Sequence, residues 1–354
     1  MKRNRSSKAR PGIFLLSLGG LVLLIGLVFL PHLYATTYVR GGETDTKKEN
    51  REPVLDTAAY DAKMRALAHV DVASTTASST PGLWPVEAPY PKPGAILPFN
   101  RIVAYYGNFY SRNMGVLGEY PKDEMLAKLR AEKVVWEAAD PTTPVVMAIN
   151  YIAVTAQEHA QADGKYRLRM PDSQIDYALS LANEIDGIVI LDVQVGLSTL
   201  QEELPELEKY LALPNVHLGL DPEFSMKSGD PPGTVIGTFS AADINYAATY
   251  LQSLVQKHNL PPKVMIVHRF TQNMVTGYQN IQPLPEVQIV IDMDGWGFGA
   301  KKINTYNTVV YPEPVQFTGF KLFYKNDLKP PSTRLLTPQE ILDLTPSPSF
   351  IQYQ

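Results

Sequence analysis

From residue 100 onward, short apolar runs alternate with longer stretches in which apolar residues recur at helical spacing. The runs are nearly continuous, as is typical of strands that are buried on both faces of a sheet. They predict strands at residues 101–107, 145–153, 187–195, 216–220, 263–270, 287–293 and 320–325. The intervening patterns predict helices at residues 121–138, 172–185, 199–211 and 240–258, and a further short helix after Thr337.

Strands that alternate with helices predict an α/β fold with a parallel sheet covered by helices. Seven strands over roughly 250 residues favour a TIM-like (β/α) barrel over an open sheet. An eighth strand is not evident, and its weak candidate is residues 308–311 (TVVY), so the pattern also allows an irregular barrel. No glycine-rich dinucleotide or phosphate motif opens any of these helices, which argues against a nucleotide-binding fold.

Polar side chains cluster at the ends of these strands. In a parallel barrel the carboxyl ends of all strands meet at one rim, where such folds carry their active sites. We therefore expect the polar side chains to converge there. The carboxylates that we predict to be catalytic are Glu223, Asp221, Asp192 and Asp292. The side chains that we predict to bind substrate are His268, Arg269, Asn150, Tyr106, Gln194, Asp294 and Trp296.

The strand at residues 216–220 leads into the most informative pair, Asp221 and Glu223. Side chains two positions apart share one face of a strand at roughly 6–7 Å, and Pro222 between them is expected to end the ladder. Two neighbouring carboxylates push their pKa values apart, which provides an acid and a base. Glycoside hydrolysis requires such a pair, and Asp192 or Asp292 is the candidate for a more distant partner.

Each of these residues also has an ordinary structural interpretation. A single histidine such as His268 is more often hydrogen-bonded for structure than used as a base. Asp292 and Asp294 precede a Gly-Trp-Gly sequence, in which either can cap a turn. Asp192 could hold a loop through backbone N–H groups. The grouping of polar residues at strand ends, more than any single residue, therefore indicates a functional site.

The amino-terminal part of the chain has a different pattern. Residues 1–11 are basic, and residues 12–30 form an uncharged apolar run close to the ~20 residues that span a bilayer. We expect a single-pass signal anchor in the cell membrane, with the amino terminus in the cytoplasm; a cleaved signal peptide is the alternative. Residues 31–97 predict an extracytoplasmic Ser/Thr/Pro-rich linker with a short helix at 56–69, and residues 98–354 the barrel domain.

Composition narrows the chemistry and the partners. The formal net charge is −4 and no basic stripe occurs, so nucleic acid is not an expected partner. The absence of cysteine excludes disulfides, thiol catalysis, cysteine-bound zinc and a lipid-acceptor cysteine. No H-x-H or H-E-x-x-H motif occurs, so we predict neither a zinc site nor a cofactor.

Six segments resemble a family of bacterial envelope-anchored, lipoprotein-like proteins that look like TIM-barrel glycosidases. They are AYYGN (104–108), LDVQVG (191–196), LDPEF (220–224), PPGTVIGTFSAADIN (231–245), PPKVMIVHRFT (261–271) and VIDMDGWG (290–297). The resemblance implies a barrel and an extracytoplasmic location, but no particular reaction. Because this sequence lacks the lipid-acceptor cysteine of that pattern, residues 12–30 would hold it in the membrane.

Residues 186–194 match only part of the D-G-x-D-x-D-x-E signature of chitinase-like barrels. Asp186 and Gly187 match its start, but Asp192 is out of register and Gln194 stands near the position of the catalytic glutamate. The match therefore fails at the residues that carry the chemistry.

Three functions remain open. The first is a membrane-anchored, glycoside hydrolase-like enzyme that acts on envelope or extracellular polysaccharide, peptidoglycan included, by carboxylate acid/base chemistry. The second is a non-catalytic glycan-binding or envelope-organising barrel, because a fold does not determine a function. The third is a metal-dependent hydrolase, in which the carboxylates and His268 bind a hard cation.

Overall fold

The structure, a computed structural model, describes residues 54–70 and 82–354. The strands in these ranges are β1 (Arg101–Gly107), β2 (Val145–Ala156), β3 (Arg167–Arg169), β4 (Ile188–Val193), β5 (Val216–Leu220), β6 (Phe239–Ser240), β7 (Lys263–Arg269), β8 (Val275–Thr276), β9 (Val287–Met293), β10 (Phe317–Leu322) and β11 (Phe350–Tyr353). The helices are α1 (Thr57–Leu67), α2 (Val116–Glu119), α3 (Lys122–Ala139), α4 (Asp172–Glu184), α5 (Leu200–Glu203), α6 (Glu208–Leu211), α7 (Ala241–His258), α8 (Gly299–Thr305) and α9 (Pro338–Leu342).

Eight of these strands form a closed parallel barrel in the order β1-β2-β4-β5-β7-β9-β10-β11. Closure occurs at β1, which pairs with β2 on one side and with β11 on the other. Strand β3 pairs antiparallel with the end of β2, and β6 and β8 form a separate small ladder. The predicted TIM-like α/β barrel is therefore confirmed, with eight parallel strands and helices on the outside.

The eighth strand lies outside the region where the sequence placed its candidate. Residues 308–311 fall in and next to a π-helical turn (Tyr306–Val310) that continues α8, so the prediction of a strand there is wrong. A short apolar run fits a buried helical segment as well as a strand, and here Tyr306 and Val310 share the buried side. The eighth strand is β11, whose four residues (FIQY) form too short a pattern to be recognised.

Local capping determines where several helices begin. Helix α7 follows the predicted cap Ser240, whose backbone N–H donates to the carboxylate three residues later at 2.7 Å. Helix α9 follows Thr337, which exchanges hydrogen bonds with Glu340. The helix predicted at residues 199–211 is divided into α5 and α6, because Pro205 lacks the N–H that a continuous helix requires.

The interior of the barrel has two halves of different chemistry. Every second residue of a strand points inward. Near the amino ends of the strands His217 and Gln288 are polar, and the other inward residues there are apolar. We call these apolar residues the lower layer, which comprises Ile102, Ala148, Ile190, Ile266, Val290, Phe317 and Phe350. Near the carboxyl ends the inward residues are polar and buried, and we call these the upper layer, which comprises Tyr106, Asp192, His268, Asp292 and Lys321.

Helix α1 covers the lower end of the barrel. It begins after Asp56, whose side chain accepts a hydrogen bond from the backbone N–H of Ala59 at 2.9 Å. Tyr60 and Met64 are buried in the same apolar cluster as the lower layer. Part of the range 31–97, which the sequence assigned to a linker, thus packs against the barrel.

The predicted membrane-spanning segment, residues 12–30, lies outside the described residues. Within residues 54–70 and 82–354, no helix combines the length and the apolar character that crossing a membrane requires. The anchor therefore stays a prediction from the sequence.

Candidate active site

An open cleft of about 540 Å³ lies at the carboxyl-terminal end of the barrel. The parallel topology brings together polar residues from different strands there, as expected. The predicted site residues that line the cleft are Tyr106, Gln194, Asp221, Glu223, Asp294 and Trp296. Its other charged lining residues are Lys301 and Lys321.

Asp221 and Glu223 lie on the turn that follows β5. The strand ends at Leu220, and Pro222 begins a 3-10 turn, so ladder pairing stops where the proline predicted. Asp221 Oδ1 accepts a hydrogen bond from the backbone N–H of Glu223 at 3.1 Å. This local bond fixes the turn that presents both carboxyl groups to the cleft.

The two carboxyl groups differ in their partners. Gln194 Nε2 donates to Asp221 Oδ2 at 3.0 Å, and Gln194 Oε1 accepts from the backbone N–H of Ala156 at 3.0 Å. Gln194 therefore positions Asp221. The carboxyl group of Glu223 is half-buried, and no group within the described part of the chain forms a hydrogen bond or ion pair with it.

Burial raises the pKa of both groups. It raises the pKa of Asp221 to about 8, with His268 opposing the rise and neighbouring carboxylates adding to it. It raises the pKa of Glu223 to about 7, with Asp294 adding to the rise and Lys321 opposing it. Both carboxyl groups therefore keep their protons to a higher pH than an ordinary carboxyl group does.

Beneath the cleft, His268 on β7 contacts three carboxylates. Its Nε2 is 3.1 Å from Asp192 Oδ1, and its Nδ1 is 3.2 Å from Asp292 Oδ2 and 3.4 Å from Asp294 Oδ2. Burial lowers the pKa of His268, but the charges and hydrogen bonds of these carboxylates outweigh burial and raise it well above its ordinary value. His268 is therefore an imidazolium that donates from both nitrogens.

Two of the carboxylates predicted to be catalytic belong to this buried group. Asp192 and Asp292 are fully buried and face His268 from below the cleft lining. Their position fits a role in holding the imidazolium, and it does not fit direct contact with a substrate.

Two glycines make room for these buried carboxylates. A Cβ at Gly219 on β5 would lie 2.0 Å from Asp192 Oδ1, and a Cβ at Gly319 on β10 would lie 2.5 Å from Asp292 Oδ1. Any side chain at either position would displace the carboxylate. This requirement explains glycine in the middle of two strands, where it is otherwise unfavourable.

Lys321 on β10 is a site residue that the strand-end pattern did not predict. Its Nζ is 2.9 Å from Asp294 Oδ1 and 3.9 Å from the centroid of the Tyr106 ring. Tyr106 donates its hydroxyl to Asp192 Oδ2 at 3.0 Å, and burial together with nearby carboxylates raises its pKa well above the ordinary value. Strict alternation within FKLFYK puts Lys321 and Phe323 on one face of the strand, but it does not indicate whether that face is the inward one.

Three predicted substrate-binding residues do not line the cleft, namely His268, which is buried beneath it, Arg269 and Asn150. Arg269 follows the inward-facing His268, so it points to the other side of β7 and pairs with Glu313 at 2.5 Å. Asn150 is buried within the barrel, where its Oδ1 accepts from Gln352 Nε2 at 2.8 Å. These positions fit structural roles and do not support the predicted contacts with substrate.

Trp296 lies at the mouth of the cleft and is 49% exposed. The Nζ atoms of Lys301 and Lys329 are 4.9 and 5.1 Å from the centroid of its ring. Lys301 also donates to the backbone oxygen of Trp296 at 3.1 Å. The exposed part of the indole gives a ligand in the cleft an apolar surface beside two ammonium groups.

In the described ranges, no group of three or more His, Cys, Asp or Glu side chains is arranged to hold a metal ion. The carboxylates around His268 accept hydrogen bonds from its two ring nitrogens, which leaves the imidazolium no lone pair for a cation. The metal-dependent hydrolase therefore has no support in this part of the chain.

Neither a protein-family model nor a curated protein matches the sequence. A solved structure that is similar is "The structure of GH26C from Muricauda sp. MAR_2010_75", at 10% identity, over 71% of this chain and 70% of that chain, with a TM-score of 0.28. A likeness at that TM-score carries no argument about the site. The barrel implied by the sequence resemblance is present, whereas membership of the envelope-anchored family stays a prediction.

Proposed function

We propose that the cleft binds a polysaccharide and hydrolyses a glycosidic bond, with Glu223 as the general acid. The observation that carries this proposal is the environment of Glu223, a half-buried carboxyl group in the cleft whose pKa burial raises to about 7. A general acid is most effective when its pKa lies near the working pH. Glu223 can then give its proton to the glycosidic oxygen as the bond to the anomeric carbon breaks.

Asp294 is the partner that the geometry favours. Burial raises the pKa of Asp221 and so disfavours the carboxylate form that a general base requires, and Gln194 donates to one of its oxygens. Asp294 lines the same cleft and forms an ion pair with Lys321 at 2.9 Å. We assign Asp294 to accept a proton from the water that attacks the anomeric carbon. The remaining hydroxide becomes the hydroxyl group of the new reducing end.

The test uses the full chain in detergent and counts new reducing ends on peptidoglycan and on a panel of polysaccharides. We expect Glu223→Gln to lower kcat/KM by about a thousandfold, because general acid catalysis is worth about 10²–10⁴-fold. Glu158→Gln is the matched control, since Glu158 is exposed on the loop after β2 and should not affect turnover. Full turnover by Glu223→Gln in a folded protein would exclude the assignment.

A non-catalytic glycan-binding barrel is the second candidate. It is favoured because two cleft carboxylates are already engaged by other side chains and are less free to react. Asp221 accepts a hydrogen bond from Gln194, and Asp294 forms an ion pair with Lys321. In that case the full chain would bind a polysaccharide saturably without producing reducing ends. Calorimetric titration beside the reducing-end assay separates the two functions.

We also propose that residues 12–30 anchor the protein in the cell membrane by a single span, with residues 1–11 in the cytoplasm and the barrel outside. The apolar run and the basic residues before it support this arrangement. Envelope polysaccharide would then be within reach of the cleft. The full chain should fractionate with membranes, and protease added to intact cells should digest the barrel. Recovery in the soluble fraction would contradict the anchor.

A further inference from the structure

We infer that Trp296, Lys301 and Lys329 form a subsite at the cleft mouth for a sugar that carries an anionic group. The inference rests on the proposed function and narrows its substrate class. Its first basis is position, because Trp296 and Lys301 both line the cleft. The ammonium groups of Lys301 and Lys329 both lie about 5 Å from the centre of the same half-exposed indole.

The second basis is charge. Within residues 54–70 and 82–354, Lys301 and Lys329 have no carboxylate within ion-pair distance, whereas other lysines at this end of the barrel do. The buried Lys302 is 2.8 Å from a carboxylate oxygen of Asp327, and the exposed Lys325 is 2.8 Å from one of Glu119. Two lysines without acidic partners at one indole make the mouth locally positive in a chain of net charge −4.

The third basis is the chemistry of the contact. A sugar that contacts the exposed part of Trp296 would have its substituents close to both ammonium groups, since each lies about 5 Å from the ring centre. An anionic substituent can accept charge-assisted hydrogen bonds from Lys301 and Lys329. The hydroxyl groups of a neutral sugar accept weaker hydrogen bonds from the same lysines. Deeper in the cleft, Lys321 is already paired with Asp294 at 2.9 Å, so it is less available to a second anion. The charged sugar therefore belongs at the mouth and not at the bond that is cleaved.

The experiment measures binding to the full chain carrying Glu223→Gln, so that no polymer is cleaved during titration. The probes are polygalacturonate with its carboxyl-reduced neutral form, and dextran sulfate with dextran. We expect the anionic member of at least one pair to bind about five- to tenfold more tightly, the scale of two exposed charge contacts. The double variant Lys301→Gln/Lys329→Gln should lose most of this preference.

The matched control is Lys128→Gln. Lys128 also rests on an aromatic ring, 4.8 Å from the centroid of Tyr120, but it does not line the cleft. This variant should retain the full preference, and added salt should weaken the preference of the parent chain. A lysine-dependent preference for polygalacturonate identifies a carboxylate as the anion, and one for dextran sulfate identifies a sulfate ester; either supports the subsite.

Equal affinity for charged and neutral polymers, an unchanged preference in the double variant, or no binding of either anionic polymer would overturn the subsite. These outcomes are separable from failure of the proposed function. Cleavage of neutral polysaccharide without a charge preference would support the proposed hydrolase and contradict the proposed subsite. A lysine-dependent preference without cleavage by the chain with Glu223 would leave the subsite and remove the hydrolase.

Discussion

Five strands (β1, β4, β7, β9 and β10) contribute to both the lower and the upper layer of the barrel interior, yet the two layers differ in chemistry. In the lower layer, apolar side chains such as Phe350 are fully buried, and each contributes about 1.5–3 kcal/mol through burial. In the upper layer, His268 and its carboxylates are equally buried, at a considerable cost in desolvation. The difference indicates that the lower layer stabilises the barrel, whereas the upper layer holds charges in the geometry that the cleft requires.

The largest effect should come from the lower layer. Phe350→Ala leaves a cavity in a fully buried cluster and should lower the free energy of unfolding by about 3–5 kcal/mol. Phe298→Ala is the matched control, because Phe298 is 39% exposed and its loss should cost less than about 1 kcal/mol. Urea unfolding of the full chain measures both. An equal loss of unfolding free energy in the two variants would show that the lower layer is not the main source of stability.

A smaller but diagnostic effect is expected in the upper layer. His268→Gln removes the cation between three carboxylates and should destabilise the fold by about 3 kcal/mol at pH 6.5. Because the pKa of His268 is raised in the folded state, its stabilisation is fully present below the ordinary histidine pKa of about 6.5. It is lost as the pH rises through the folded pKa. The unfolding free energies of the parent chain and of His268→Gln should therefore converge between pH 6.5 and pH 10. A constant difference between them would contradict an imidazolium at residue 268.

The smallest effect concerns Glu223, and it has the opposite sign. Its pKa is raised to about 7, so the folded state disfavours the ionised form. The resulting penalty is absent below about pH 4.5, the ordinary glutamate pKa, and is complete above the folded value. Glu223→Gln should therefore raise Tm by about 2–4 °C at pH 9 and leave it unchanged at pH 4. Glu158→Gln should change neither value, and a lower Tm for Glu223→Gln at pH 9 would show that the carboxylate is stabilising.

Much of the upper end of the barrel could be predicted because its strands are continuous apolar runs that end in polar residues. That pattern places Asp221, Glu223, Gln194 and Asp294 at one rim without any knowledge of distances. It requires only that the strands be parallel and adjacent, which the alternation with helices indicates.

The other parts of the site and of the barrel depend on features that the pattern of polar residues at strand ends does not contain. Arg269 was grouped with His268 although adjacent residues of a strand face opposite sides. Lys321 lies inside an apolar run, and its role becomes visible only when Asp294 is brought across from β9. Strand β11 is too short to stand out, and the raised pKa of Glu223 follows from burial that only the folded chain creates.

Strand β11 has a consequence for how the protein is made. It pairs with β1 and β10, and Gln354, the residue directly after it, lines the cleft. Until it has been synthesised, the sheet has two open edges, which are the part of a β structure most prone to pair with other chains. Closure joins segments that are far apart in the sequence, so it is a slow step in folding. Until β11 pairs with its two neighbours, the nascent chain therefore has exposed strand edges and an incomplete cleft.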